Sequence, residues 1–195
     1  MKKHDIIRLG VLIPVLLISA AYPLKTMYEF EYPDIPPVEF RFRCTGFDPY
    51  DAFRGRYVRV QPLPNEIKAE KNEKYQWGAS LYALLETKNG YASVTGLSAK
   101  KPEKGNFIKV RYSFRSPNWN KGKKSKEEYH HFTYPFGHYY INEKSASAAE
   151  KAVQKAVRKN KKSCVLSVLV YSNGNFAVKD LLIDGKPLKE VLKKD

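Results

Sequence analysis

The chain has 195 residues, 43% of them apolar, which is enough for one domain of ordinary size with a real core and too few for several. Its formal net charge of +15 favours polyanions, anionic lipid or acidic envelope polymers through a long-range field rather than through one site. Two cysteines exclude a disulfide framework, and 14 Tyr with 10 Phe lean the composition towards strands.

Met1 to Arg8 is short and basic, and Leu9 to Ala21 is apolar apart from Ser19, interrupted by Pro14. Taken to Leu24, the run is sixteen residues, the short edge of a spanning helix. We read residues 1–24 as a retained signal anchor. The alternatives are cleavage after Ala21, where Ser19-Ala20-Ala21 is similar to a small-residue cleavage site, and a buried core helix. Under the first two readings the basic end stays in the cytoplasm and residues 38–195 form an extracytoplasmic domain. Residues 25–37, with Pro33, Pro36 and Pro37, read as an extended stalk.

Val38 to Cys44 alternates apolar against polar, as a half-buried strand should. It feeds into Phe47-Asp48-Pro49-Tyr50-Asp51-Ala52-Phe53-Arg54-Gly55-Arg56, a polar corner, and then into Tyr57-Val58-Arg59-Val60, a second strand. Asp48-Pro49 is a turn starter and Gly55 supplies permissive backbone. The direct reading of Asp48, Asp51 and Arg54 is that they cap backbone N–H groups and pair with one another. The sharper alternative is a carboxylate pair for acid/base chemistry, which no nucleophile or metal-ligand spacing accompanies.

Asp48-Pro49-x-Asp51-x-x-Arg54-Gly55-x-Tyr57-Val58 resembles the signature of the GDYXXLXY proteins, small membrane-anchored bacterial proteins of unassigned function. Arg56 stands where that signature has its name-giving Asp, Val60 replaces a leucine, and Pro62 stands where the last tyrosine would be. A role that needs the acid is not carried over, whereas a structural corner is. The resemblance also covers the anchor and the C-terminal third, while residues 65–130 add nothing specific to it. It implies an accessory protein of the bacterial cytoplasmic membrane, with its domain on the periplasmic side and a multi-pass membrane protein as its partner.

Gln61 to Trp77 reads as a loop with a helical turn. Leu81 to Glu86 and Tyr91 to Thr95 flank Asn89-Gly90, which suits a type I′ hairpin; Cys164 to Tyr171 and Phe176 to Ile183 flank Asn173-Gly174 and predict the same turn. Phe107 to Phe114 is a further strand, followed by a mobile Pro/Asn/Gly/Lys loop over 116–126. Ser147-Ala148-Ala149-Glu150 resembles a capping box that opens a helix with Ala149, Ala152, Val153, Ala156 and Val157 on one face. The fold class expected is α+β: a mainly antiparallel sheet domain with one principal helix, preceded by an N-terminal membrane helix.

Three of the four histidines lie in Tyr129 to Tyr140. His130 and His131 point to opposite faces of a strand, which argues against a shared metal ion. The cluster reads as a core strand with histidines at its edge, and the functional alternative is a partner or ligand groove formed by His130, Tyr134, His138, Tyr139 and Tyr140. Lys100 to Lys126 carries ten Lys/Arg and one acid, Glu103; an exported domain would not meet nucleic acid, so anionic lipid or envelope polymer is the functional reading. Cys44 and Cys164 are either two separately buried thiols or a disulfide, which would stabilise by roughly 4 to 5 kcal/mol through loop closure. No catalytic set, phosphate loop, metal site or cofactor is expected. The reading is a non-catalytic accessory module, the alternatives being an envelope hydrolase using Asp48 and Asp51 or a polyanion-binding surface.

Overall fold

The computed structural model describes residues 3–45, 57–70, 73–120, 123–159 and 163–193. The chain divides into two compact units, Met1–Pro36 and Pro37–Asp195. The first holds helix α1 (Lys3–Glu31), with Pro14 and Pro23 inside it. The apolar side chains of Leu12, Ile13, Val15, Leu16, Leu17, Ile18 and Leu24 are all exposed, so the helix is apolar around its whole circumference there. Among the described residues no helix is long and apolar enough to cross a membrane. Residues 25–31, expected to be extended, continue the helix: Lys25 sits beside Glu29 one turn on, and the Tyr32 N–H still bonds the Tyr28 carbonyl at 2.8 Å.

The second unit is built from antiparallel sheets. Its strands are β1 (Val38–Thr45), β2 (Tyr57–Arg59), β3 (Gln61–Leu63), β4 (Glu66–Lys68), β5 (Ser80–Lys88), β6 (Tyr91–Ser98), β7 (Asn106–Asn120), β8 (Lys123–Thr133), β9 (His138–Tyr140), β10 (Cys164–Val170), β11 (Phe176–Ile183) and β12 (Lys186–Pro187). Helix α2 (Glu143–Lys159) precedes β10, and the short α3 (Leu188–Val191) follows β12. One sheet runs β12-β11-β10-β1-β3, the other β4-β8-β7-β5-β6, and β2 with β9 form a separate ribbon. The arrangement is α+β, mainly antiparallel, with few helices.

The strand patterns explain the layering. Phe40, Phe42 and Cys44 of β1 are buried and alternate with Glu39, Arg41 and Arg43. In β10, the middle strand of its sheet, all residues but Leu169 are buried, as its nearly continuous apolar sequence requires. Leu81, Ile108, Val110 and Phe132 of the other sheet join Phe40, Phe42, Leu166, Val168 and Leu181 in one core cluster, and Ala149, Val153 and Ala156 bring α2 into it. The small side chains let α2 lie close against β2, β10 and β11.

Four local expectations are corrected. Residues 61–77, read as a loop, contain β3 and β4; each is three residues long, too short for a periodic signal. Of the basic segment 116–126, residues 116–120 belong to β7 and 123–126 to β8 rather than to a loop, with a register shift between Pro117 and Trp119 that accommodates the proline. Helix α2 starts a turn before Ser147: the Asn142 carboxamide oxygen accepts the Lys144 N–H at 3.1 Å. The Asn173-Gly174 turn is not type I′. Its Gly174 has φ 89° but Asn173 does not have positive φ, and the Gly174 N–H bonds the Tyr171 carbonyl at 2.9 Å, so the turn is closed by a single left-handed glycine.

Candidate binding groove

The ribbon and the chain that follows β8 enclose a groove of about 420 Å3, lined by Arg59–Pro62 and Asn65 on one wall and Phe132–His138 on the other. Two backbone bonds hold the walls together: the Val60 N–H donates to the Gly137 carbonyl at 2.8 Å, and the Phe132 N–H to the Asn65 carbonyl at 3.0 Å. Glycine is required at 137, because a Cβ there would sit 2.8 Å from the Val60 carbonyl oxygen. The Tyr134 hydroxyl adds a third tie, donating to the Pro64 carbonyl at 2.7 Å.

The floor is aromatic because β8 continues its alternation beyond Thr133. Phe132, Tyr134 and Phe136 are buried, while Thr133 and Pro135 are exposed. Tyr134 and Phe136 stack at 5.0 Å, and both meet Phe42 of β1 edge-on at 5.1 Å. Burial pushes the Tyr134 phenol well above the ordinary tyrosine range, so it is a fixed donor and not a base. Arg59, Gln61, Thr133 and His138 form an exposed polar rim. The groove is therefore a mainly polar surface laid over a packed aromatic layer, of a volume that could admit a short segment or a small ligand.

The histidine and tyrosine cluster does not act as one site. Tyr134 and His138 line the groove. Tyr139 turns into the core and donates to Asp180 at 2.8 Å; burial and that bond raise its pKa. Tyr140 is 75% exposed and borders a different hollow with Ile141 and Leu192. His130 lies elsewhere, fully buried, with Nδ1 sharing a hydrogen bond with the Tyr112 hydroxyl at 3.2 Å and Nε2 3.6 Å from the Glu73 carboxylate. His131 points the other way, stacked on Phe114 at 4.5 Å and bonded to Ser116. Among the described residues no group of three or more His, Cys, Asp or Glu could hold a metal ion.

Of the signature corner, Asp48, Pro49, Asp51, Arg54 and Gly55 lie outside the described residues. Tyr57 is described, and it meets His138 edge-on at 4.4 Å and Tyr140 at 6.1 Å. The register Tyr57↔Tyr140 and Arg59↔His138 therefore puts the signature strand directly on the groove. A family model described as GDYXXLXY protein matches residues 21–181.

The chain belongs to the GDYXXLXY family.

No curated protein and no solved structure matches it. The family match spans both walls of the groove in this GDYXXLXY protein, from Arg59 to His138. Sequence reasoning passed over Arg59, Gln61 and Asn65. The alternation of Tyr57-Val58-Arg59-Val60 places Tyr57 and Arg59 on one face and was the signal available; Asn65, in a turn between two very short strands, carried none.

Proposed function

We propose that this GDYXXLXY protein is a non-catalytic, membrane-anchored accessory module whose groove takes an extended acidic segment of a partner membrane protein. The observation that carries the reading is the groove itself: a rigidly tied aromatic floor with an Arg59/Gln61/Thr133/His138 rim, placed against the signature tyrosine. An extended segment suits it because a narrow trough between two chain segments offers alternate side chains a floor and a rim. Acidic character follows from the net charge of +15, which steers anionic partners to the surface. The exposed apolar girth of α1 supports attachment to a membrane, since water is a poor solvent for such a surface. The family resemblance supports, as part of this proposal, an extracytoplasmic, periplasmic domain and a multi-pass partner.

The test is site-specific photocrosslinking in intact cells. A photoreactive phenylalanine replaces Thr133 on the groove rim or, as a control, Lys88 at the β5–β6 turn, followed by solubilisation and washing at low and high salt. One crosslinked membrane protein from position 133, absent from position 88 and retained at high salt, supports the reading. Crosslinks to lipid or polymer alone, or equal yields from both positions, would sink it.

A further inference from the structure

We infer that Cys44 and Cys164 close to a cross-strand disulfide as the chain folds in the presence of a disulfide oxidant. The two residues lie on neighbouring antiparallel strands, one step beyond the Arg43↔Val165 pair, and so stand directly opposite each other. Directly opposed residues in an antiparallel pair have Cα atoms about 4.5 or 5.5 Å apart, and a disulfide spans about 4.4 to 6.8 Å. Both side chains point to the same inner face and both are fully buried free thiols. The Cys44 thiol also reaches the Phe42 carbonyl of its own strand at 3.6 Å, so it lies against the sheet beside the facing strand that carries Cys164. No strand has to move for the bond to form; only side-chain rotation is needed.

The position gives the bond a purpose. Cys44 is the second residue before the segment 46–56 that carries the signature corner, and Cys164 opens the central strand after α2. A bridge here fixes the chain where the corner departs and closes a loop of 120 residues, the long-loop case in which a cross-link restricts the unfolded chain most. The oxidant is a disulfide, either a protein dithiol–disulfide carrier or a small one such as oxidised glutathione. One cysteine thiolate attacks a sulfur of that disulfide and expels one thiolate. The second cysteine then attacks the mixed disulfide at the protein sulfur, forming the Cys44–Cys164 bond and releasing the second thiolate. Two protein thiols are oxidised and one disulfide is reduced to two thiolates, which take up the two protons that the cysteines gave up. Because both sulfurs are buried in the folded protein, exchange belongs to folding, and the finished bond is shielded from reductant.

The experiment uses the full chain in detergent, reduced and unfolded, then refolded with a mixture of reduced and oxidised glutathione. The product is denatured with N-ethylmaleimide and weighed intact. The expected product takes up no maleimide, is lighter by two hydrogens than the reduced chain, and accepts two maleimides after reductant. Its Tm is expected to exceed that of the reduced protein by about 10 °C or more. Two maleimides without reductant, or glutathione retained on either cysteine, would overturn the inference. Because the wild-type chain serves for every arm, no variant has to fold, and the groove reading stands or falls separately.

Discussion

The ring of Tyr57 packs edge-on against the His138 imidazole, 4.4 Å between centroids, and joins the family signature to the rim of the groove. The same ring meets Tyr140 across the ribbon at 6.1 Å. Tyr57→Ala removes both contacts, and aromatic pairs contribute roughly 0.5 to 1.5 kcal/mol each beyond the area they bury. We expect it to lose about 1 to 3 kcal/mol in denaturant unfolding and most of the crosslink from position 133. Tyr57→Phe keeps both ring contacts, so retention of both properties is the expected outcome. A Phe variant as weak as the Ala variant would show that the hydroxyl, not the ring, matters.

Gly137 separates packing from chemistry. A methyl group at this position meets the Val60 carbonyl oxygen at 2.8 Å, and that atom is backbone, which cannot rotate aside. The Val60–Gly137 hydrogen bond that ties the groove walls must lengthen to admit it. Gly137→Ala is therefore expected to cost about 1 to 3 kcal/mol, the range for overpacking. Gly96→Ala makes a useful contrast, because its Cβ meets only the Leu84 side chain, at 3.2 Å. Equal losses for the two variants in parallel melts would contradict this account.

His130 gives the fold a predictable pH response. Burial holds its pKa below the ordinary histidine value, against the opposing pull of Glu73 and Glu128, with Arg115 and His131 adding to the depression. Tyr75 and Tyr112 also face the imidazole; burial raises both phenols, Tyr75 to about 12 with help from Glu73, so both stay neutral. The folded protein resists a proton that the unfolded chain accepts near pH 6.5. This contribution is complete above about pH 6.5 and is lost as pH falls towards the depressed folded value. We expect unfolding free energy to drop on acidification from pH 7 to 5, at most about 1.4 kcal/mol per pH unit from this residue. His130→Asn should flatten that slope whatever it does to the stability at pH 7. A slope unchanged in the variant would assign the response to other groups.

The sequence showed its long-period features plainly and its local exceptions poorly. The Asn89-Gly90 hairpin was legible because both residues need positive φ, and they have it, 53° and 77°. Asn173-Gly174 carries the same letters, yet Asn173 spends its side chain on the Asn175 N–H at 2.9 Å and only the glycine is left-handed. Pro117 suggested a loop, but a register shift lets an antiparallel ladder run past it. Opposite faces for His130 and His131 followed from strand period alone. That Glu73 would reach His130 could not be seen, because the two are far apart in sequence and Glu73 stands in an undistinguished charged run. The groove was half legible: its floor is the alternation of the aromatic run, whereas its other wall depends on how two three-residue strands are placed.

On the solvent-facing side of the β1 sheet, Glu39 is held by Ser167 and Lys179 on different strands, with Arg41 of its own strand 3.5 Å from Oε1. Its Oε1 accepts the buried Ser167 hydroxyl at 2.9 Å, and its Oε2 pairs with Lys179 at the irregularity in β11. The Lys179 bond, followed by the Ser167 bond, lowers the Glu39 pKa against a smaller cost of burial. A depressed carboxylate stabilises the fold above its unfolded pKa and loses that contribution as pH falls through the lower, folded value. The side chain is 30% exposed, so water and salt screen the pair, and we expect Glu39→Gln to cost about 0.5 to 1 kcal/mol at neutral pH. Glu39→Ala should cost more, because it also strands the Ser167 hydroxyl, 2% exposed, without its acceptor. In a double-mutant cycle with Lys179→Met, the coupling to Glu39→Gln should shrink as salt is raised from 0.05 to 0.5 M, roughly the range over which screening becomes effective. A coupling that ignores salt would mean that Ser167, rather than the lysine, holds the glutamate in place.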